Sequence, residues 1–197
     1  MKTIIWDVDD VLNDLMAAWF EDYSALSGTA RFITYGHLTS NPPDELLGIS
    51  RMEYLVSLDK FRLSAIAEKM SPVAEIFEWF CRYGEQCHNV ALTAVPLCAS
   101  HVSAQWVMRN FGRWIRSFNV IPSPRPGIEA AQYHSTKLDF LGWWGKADIL
   151  VDDNEQNIAG ALSLGMKAVL FPRPWNRSAL TIKEALEIIT QMALEAV

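Results

Sequence analysis

Two pairs of carboxylates stand directly after apolar segments that are typical of buried strands. Asp7 and Asp9 follow one such segment near the start of the chain, and Asp152 and Asp153 follow another. Carboxylates this close together repel one another unless a cation or a shared proton compensates for the charge. The pattern therefore indicates chemistry, and it is typical of metal binding and of acid–base catalysis.

Thr93 and Lys137 add a hydroxyl and a cation to this set. Thr93 ends a further strand-like segment, and Lys137 opens a predicted helix. The carboxyl ends of parallel strands meet at one edge of a sheet, where open α/β sheets bind their ligands. A nucleophile, an acid–base group, a hydroxyl and a cation at that edge are the groups expected for phosphoryl transfer through an aspartyl-phosphate.

Strands and helices alternate along most of the chain. Strands are predicted where short apolar segments occur, at residues 3–9, 88–93, 117–121, 148–151 and 167–171. Helices are predicted over 13–26, over 72–83 with Pro72 at the first helical position, over 100–111, near Ser135, over 155–164 and after the capping box Thr181–Glu184. The alternation predicts an α/β fold, a Rossmann-like three-layer α/β/α arrangement around a parallel sheet with right-handed crossovers.

One segment breaks this alternation. Residues 44–69 carry two or three short helical patterns and none of the alternation of a strand. We therefore expect a small helical cap, residues 14–70, inserted after the first strand and lying over the carboxyl edge of the sheet. Residues 1–13 and 71–197 would form the core domain.

Size and charge restrict the function further. The chain has 197 residues, half of them apolar, and a formal net charge of −6. Such an acidic chain is a poor partner for a nucleic-acid polymer, and no apolar run approaches the ~20 residues of a membrane span. The three cysteines, an odd number without the spacing of a zinc site, favour reduced thiols and a cytoplasmic location. Composition leaves the oligomeric state unknown.

The four polar positions resemble, in order, the motifs of the haloacid dehalogenase (HAD) superfamily of phosphohydrolases. The first motif stands as Asp7-Val8-Asp9-Asp10-Val11 and the second as Ala91-Leu92-Thr93. The third stands as Thr136-Lys137-Leu138 and the fourth as Ile149-Leu150-Val151-Asp152-Asp153. Four matches in the family's order are far more specific than any one of them.

The resemblance implies a role for each motif residue. Asp7 would be the nucleophile, and Asp9 would be the general acid and base, with its main-chain carbonyl on the metal. Thr93 and Lys137 would hold the phosphoryl group. Asp7, Asp9, Asp152 and Asp153 would form the site of a Mg²⁺ cofactor, and the substrate would be a small phosphorylated molecule.

Within that superfamily the chain is most similar to the 5′(3′)-deoxyribonucleotidase branch. The similarity lies in the opening Asp7–Asp14 and in the loop Phe171–Arg177. It implies hydrolysis of (deoxy)nucleoside monophosphates, with Trp19 near the entrance and Ala94 beside the phosphoryl group.

Three positions depart from that branch. Asp10 stands where its mammalian members have glycine, Leu15 where they have a base-stacking aromatic residue, and Ala94 where they have serine. These departures put nucleotide specificity in doubt. Other aromatic side chains could supply a stacking face, namely Trp19, Phe20, Tyr23 and Phe61, although aromatic residues at helical spacing are more often part of a core.

Several alternatives stay open. Lys146 could replace Lys137, although it precedes the next strand closely, and Asp152 and Asp153 could simply cap a helix. The substrate could be another small phosphate, such as a sugar phosphate or an amino-acid phosphate. Two other classes of protein would use a similar set of residues: a phospho-accepting signalling module of the receiver type, and a non-catalytic binding protein with the same fold.

Overall fold

A parallel sheet forms the centre of the molecule. The computed structural model describes residues 1–27, 33–131 and 133–194. Its five strands are β1 (Thr3–Trp6), β2 (His88–Val95), β3 (Ile115–Pro122), β4 (Ile149–Asp152) and β5 (Lys167–Leu170). All neighbouring strands are parallel, and their order is β3-β2-β1-β4-β5.

This strand order reverses between β1 and β4, since the chain first builds outward through β2 and β3 and then returns to the other side of β1. The order is that of Rossmann folds, and ligands bind at the carboxyl ends of the strands at such a reversal. Receiver-type domains have the flavodoxin-like order 2-1-3-4-5 instead. The sheet therefore contradicts the receiver-type alternative.

Helices cover both faces of the sheet. The helices outside the inserted segment are α5 (Ala74–Tyr83), α6 (Ser100–Phe111), α7 (Lys137–Trp144), α8 (Glu155–Ser163) and α9 (Ile182–Leu194). Because side chains of a strand alternate between faces, Ile4 and Trp6 join the core under α5, α6 and α9, while Ile5 joins the core under α7 and α8. The predicted three-layer α/β/α fold is thus confirmed.

The segment between β1 and α5 is helical in its described part. It contains α1 (Leu15–Ser27), α2 (Asp44–Leu47), α3 (Arg51–Arg62) and α4 (Ala65–Glu68). These helices share a separate apolar core, which includes Trp19, Tyr54 and Phe61. Residues 28–32 of the predicted 14–70 cap lie outside the described residues.

The two ends of this segment meet. Asn13 and Pro72 form an isolated antiparallel bridge, and the Val73 amide donates to the Leu12 carbonyl at 3.0 Å. The contact brings the chain back beside β1 before α5 begins. It agrees with a boundary near residues 13 and 71, which remains a prediction.

Some element boundaries differ from the sequence expectations. β1 ends at Trp6 rather than at residue 9, because the Asp7 carboxylate accepts from the Val8 amide and the chain turns tightly over Val8–Leu12. The prediction that Pro72 opens a helix is wrong, since α5 begins at Ala74 and Pro72 pairs with Asn13.

No helix within residues 1–27, 33–131 and 133–194 combines the length and apolar character needed to cross a bilayer. Cys81, Cys87 and Cys98 are free thiols, and Cys87 is buried.

Candidate active site

The two carboxylate pairs meet at the carboxyl edge of the sheet. Asp7 follows β1 and its amide donates to the Val151 carbonyl of β4 at 2.9 Å, which places it beside Asp152, the last residue of β4. Carboxylate oxygens of Asp7, Asp152 and Asp153 all lie within 4.8 Å of one another, and all three side chains are buried. The structure thus brings together acids that lie about 145 positions apart in the sequence.

Lys137 lies between two of these acids. A capping box of Thr136 and Asp139 begins α7, and this start carries Lys137 into the site. Its Nζ lies 2.7 Å from Asp7 Oδ1 and 2.8 Å from Asp152 Oδ2, with only 3% of the side chain exposed. Lys146 is exposed, so Lys137 is the lysine of the two that reaches the carboxylates.

Further donors orient the acids of the cluster. Asn157 Nδ2 donates to both carboxylate oxygens of Asp152, at 3.0 and 3.1 Å, and the Asn154 amide donates to Oδ1 at 2.9 Å. The Trp175 indole Nε1 donates to Asp153 Oδ2 at 2.7 Å. These bonds hold the carboxylates on the side where they face Asp7.

The acids carry more negative charge than the single lysine balances. Burial raises the pKa of Asp7 well above its ordinary range, although Lys137 beside it opposes the shift. Burial, followed by the charge of Asp152, raises the pKa of Asp153 to about 8. Burial alone would lower the pKa of Lys137, but Asp152 and Asp7 raise it overall. A small hard cation with oxygen ligands, such as Mg²⁺, fits this donor set and would offset the excess charge.

Asp9 is not part of this three-acid cluster. Its Oδ2 accepts from Arg62 Nη2 at 2.9 Å, and its Oδ1 accepts weakly from Asn13 Nδ2 at 3.4 Å. The predicted metal contact through the Asp9 main-chain carbonyl stays a prediction, while the carboxylate is free of the three-acid cluster.

Asp10 adopts a left-handed backbone conformation, with φ of 62°. Aspartate tolerates this conformation better than most residues. Its Oδ1 accepts from the Met16 amide at 2.8 Å, and its carbonyl accepts from Arg173 Nε at 2.6 Å. Burial raises the pKa of Asp10 to about 7, and Arg173 opposes that shift.

A cavity of about 240 Å³ opens above these residues. Thr93 and Ala94 of β2 line it beside Asp7, Asp9 and Lys137, as the motif order predicts. Its remaining walls come from both the sheet edge and the inserted helices, and they include Asp10, Leu15, Tyr54, Arg51, Arg62, Ser123, Arg125, Asp153 and Asn157. The predicted reacting groups therefore share one cavity.

Trp19 does not reach this cavity. Its side chain is fully buried in the core of the inserted helices, where it stacks on Tyr23 and donates from Nε1 to Ser57 Oγ at 3.1 Å. Phe20 and Phe61 lie in the same core. The expectation that Trp19 contacts substrate is wrong in this structure, because packing among the inserted helices buries the indole in their shared core.

Arginines that pair with acids at or beside the cavity were not among the predicted site residues. Arg62 contacts Asp9, Arg125 contacts Asp59, and Arg173 contacts Asp10 and Asp14. No local pattern marks them, because each is defined by a partner distant in the sequence. Arg109 and Arg113, by contrast, form exposed ion pairs with Glu68 and Glu85.

No protein-family model and no curated protein sequence matches the chain. Solved structures do match it in fold. A HAD-superfamily hydrolase of subfamily IA from Geobacter sulfurreducens aligns with a TM-score of 0.55 and 15% identity, over 98% of this chain and 96% of that one. A Bacillus subtilis protein described as a HAD-hydrolase and bound to magnesium aligns with a TM-score of 0.53 and 15% identity, over 98% and 99%. A dehalogenase aligns with a TM-score of 0.59 and 11% identity, over 100% and 98%. Over nearly its whole length, the chain therefore shares its fold with solved HAD-superfamily hydrolases.

Proposed function

We propose that this protein is a Mg²⁺-dependent phosphomonoester hydrolase that acts through an aspartyl-phosphate on Asp7. The observation that carries the proposal is the convergence of Asp7, Asp152, Asp153 and Lys137 within one buried cluster at the wall of a cavity. The fold shared with HAD-type hydrolases, one of them bound to magnesium, supports it.

In the first step, an oxygen of Asp7 forms a bond to phosphorus while the bond between phosphorus and the ester oxygen breaks. Asp9 gives its proton to that leaving oxygen. Lys137 and the Thr93 hydroxyl hold the phosphoryl oxygens, and the lysine offsets part of their charge. A bound Mg²⁺ would supply positive charge that lets the anionic nucleophile approach an anionic phosphate.

In the second step, water attacks the phosphorus of the aspartyl-phosphate, and Asp9 takes the proton of that water. The bond between phosphorus and Asp7 breaks, which releases inorganic phosphate and restores both carboxyl groups to their starting states. Asp152 and Asp153 would hold the cation together with Asp7.

The cavity favours a small substrate. Its volume of about 240 Å³ lies below the roughly 300–1,000 Å³ of sites for larger organic ligands. The aromatic side chains considered for base stacking lie in the core of the inserted helices instead. We therefore favour a small phosphorylated metabolite, such as a sugar phosphate or an amino-acid phosphate.

A nucleoside monophosphate is the second candidate, on a separate observation. A polar cavity of about 640 Å³ shares Asn41, Asp153 and Asn154 with the first and is also lined by Trp175. A nucleoside could extend into it beside an aromatic ring.

A cytoplasmic location and the lack of a nucleic-acid polymer as partner remain predictions from cysteine usage and net charge.

The experiment measures phosphate release from a panel of sugar, amino-acid and nucleoside phosphates, after removal of metal with EDTA and readdition of Mg²⁺. We expect turnover only with the cation, and a loss of about 10³-fold or more in Asp7→Asn. Intact mass after rapid quenching should show a phosphoryl group on the wild type and none on Asp7→Asn.

Asp22→Asn is the matched control, because Asp22 lies in α1 outside the residues that line the cavity. It should behave as the wild type. Turnover that survives in Asp7→Asn, or that is indifferent to EDTA, would overturn the proposal. A preference for nucleoside phosphates would overturn only the choice of the smaller substrate class.

A further inference from the structure

A chain of alternating charges runs from Asp9 to the loop after β3. Arg62 Nη2 donates to Asp9 Oδ2 at 2.9 Å, and Arg62 Nη1 donates to Asp59 Oδ1 at 3.2 Å. Arg125 then donates to both oxygens of Asp59, from Nε at 2.5 Å and from Nη2 at 3.0 Å. We call Asp9, Arg62, Asp59 and Arg125 the ion-pair chain.

The ion-pair chain joins parts of the molecule that are distant in the sequence. Arg62 and Asp59 belong to α3 of the inserted segment, Asp9 follows β1, and Arg125 follows β3. The four side chains are between 10% and 18% exposed. At such burial each charge depends on its neighbour, since removing one partner leaves the other charge without compensation.

The Arg125 side chain is fixed on the sheet side of the ion-pair chain. Its Nη1 donates to Ser123 Oγ at 3.0 Å and to the Pro124 carbonyl at 2.9 Å. With its other nitrogens on Asp59, the guanidinium is a rigid anchor for α3. Asp59 in turn sets the position of Arg62, one turn along the same helix.

Arg62 is the dominant contact of the Asp9 carboxylate. The other hydrogen bond to that carboxylate, from Asn13 Nδ2, is longer, at 3.4 Å. With Oδ2 held by Arg62, Oδ1 is left to exchange a proton with substrate or water. The efficiency of a general acid depends on such orientation, and a misplacement of about 1 Å can cost about a hundredfold in rate.

We propose that Arg62 is a positioning residue for Asp9, and that Asp59 and Arg125 hold Arg62 in place when α3 lies over the sheet edge. The inference rests on the proposed function, because it assigns Asp9 as the acid that protonates the leaving oxygen. It adds that this acid is correctly oriented only while the inserted helices are tied to the sheet through Arg125.

The test uses two substrates that differ in their need for an acid. An alkyl phosphate requires protonation of its leaving oxygen, whereas p-nitrophenyl phosphate releases a stable phenolate. The parameter kcat/KM reports the steps up to the departure of the alcohol or phenolate leaving group. In Asp59→Asn we expect the ratio of kcat/KM for the alkyl ester to that for the aryl ester to fall about tenfold or more.

Glu68→Gln is the matched control. Glu68 ends α4 and pairs with Arg109 of α6 at 3.2 Å, so it also ties the inserted segment to a helix of the core, but the pair is exposed. This variant loses one carboxylate from the same segment and should keep the wild-type ratio. A general loss of structure would lower kcat/KM for both esters equally, and an unchanged ratio in Asp59→Asn overturns the inference.

A second variant and readout do not depend on turnover. Arg125→Gln breaks the ion-pair chain at the sheet side, so hydrogen–deuterium exchange should become faster in Arg51–Arg62 and stay unchanged in β1 and β4. Arg109→Gln should leave exchange in Arg51–Arg62 as in the wild type. Unchanged exchange in Arg51–Arg62 of the Arg125→Gln variant overturns the inference, whether or not the wild type hydrolyses either ester. A wild type that hydrolyses neither ester would overturn the proposed function by itself.

Discussion

The metal-free protein should lose stability as the pH rises through neutrality. The pKa of Asp153 is raised to about 8 in the folded state, against about 3.9 for an unfolded aspartate. Between these values the folded state binds a proton that the unfolded state does not, so the free energy of unfolding decreases with rising pH by about 1.4 kcal/mol per unit. From pH 5.5 to 7.5 this amounts to about 2.5 kcal/mol for the one group.

Other buried groups act in known directions within that window. Asp7 and Asp10, whose pKa values are also raised, add to the loss. Lys137 contributes no slope there, because it is protonated both in the unfolded chain and in the folded state, where its pKa is higher still. The proposed Mg²⁺ would bind the ionised carboxylates of the folded state, so a saturating concentration should raise stability at pH 7.5 and flatten the dependence of stability on pH.

The measurement is urea unfolding by tryptophan fluorescence at pH 5.5, 6.5 and 7.5, in EDTA and in Mg²⁺. Asp153→Asn should reduce the slope in EDTA by about 1.4 kcal/mol per pH unit and should gain less from Mg²⁺. Glu129→Gln removes an exposed carboxylate and serves as the control. A pH-independent stability of the metal-free wild type, or a slope in Asp153→Asn equal to that of the wild type, would refute the reasoning.

Three further substitutions test single contacts. Lys137→Met leaves Asp7 and Asp152 buried without their cation. Urea unfolding in EDTA should therefore show that the free energy of unfolding decreases by about 3–5 kcal/mol. A decrease below about 1 kcal/mol would contradict the ion pairing. Asp10→Ala should be less stable than Asp10→Gly by about 1–2 kcal/mol, because a Cβ is unfavourable at a φ of 62°. Equal stabilities of the two variants would count against this backbone conformation. Trp19→Ala should lower the free energy of unfolding by about 3–5 kcal/mol through the loss of core packing. Trp19→Phe should leave the KM for phosphate esters unchanged. A raised KM in Trp19→Phe would indicate that the indole contacts the substrate after all.

Local sequence patterns were sufficient to predict the strands and the positions of the motif residues. Each of Asp7, Thr93 and Asp152 lies in or directly after an apolar strand. In a parallel sheet, strand position alone decides which edge a residue occupies. Lys137 was identified through the resemblance of Thr136-Lys137-Leu138 to a family motif, and in the structure a capping box places it at the start of α7.

The content of the inserted segment could be predicted only in part. Its helical character followed from the sequence, because short helices have local periodicity and caps. The direction of its aromatic side chains did not, since several faces of α1 are apolar and packing selects among them. Trp19 was therefore expected at the cavity and lies in the core of the segment.

The sequence by itself determined a parallel α/β fold and the set of acids, hydroxyl and lysine at one edge of its sheet, because these features depend on short-range periodicity and strand ends. Only the tertiary structure decided which charges surround Asp9 and Asp10. Arg62 and Arg173 lie 53 and 163 positions from their partners, and no local pattern encodes contacts that arise when separate elements pack. The conformation of Asp10 belongs to the same class, since its left-handed turn is held by bonds from Met16 and Arg173.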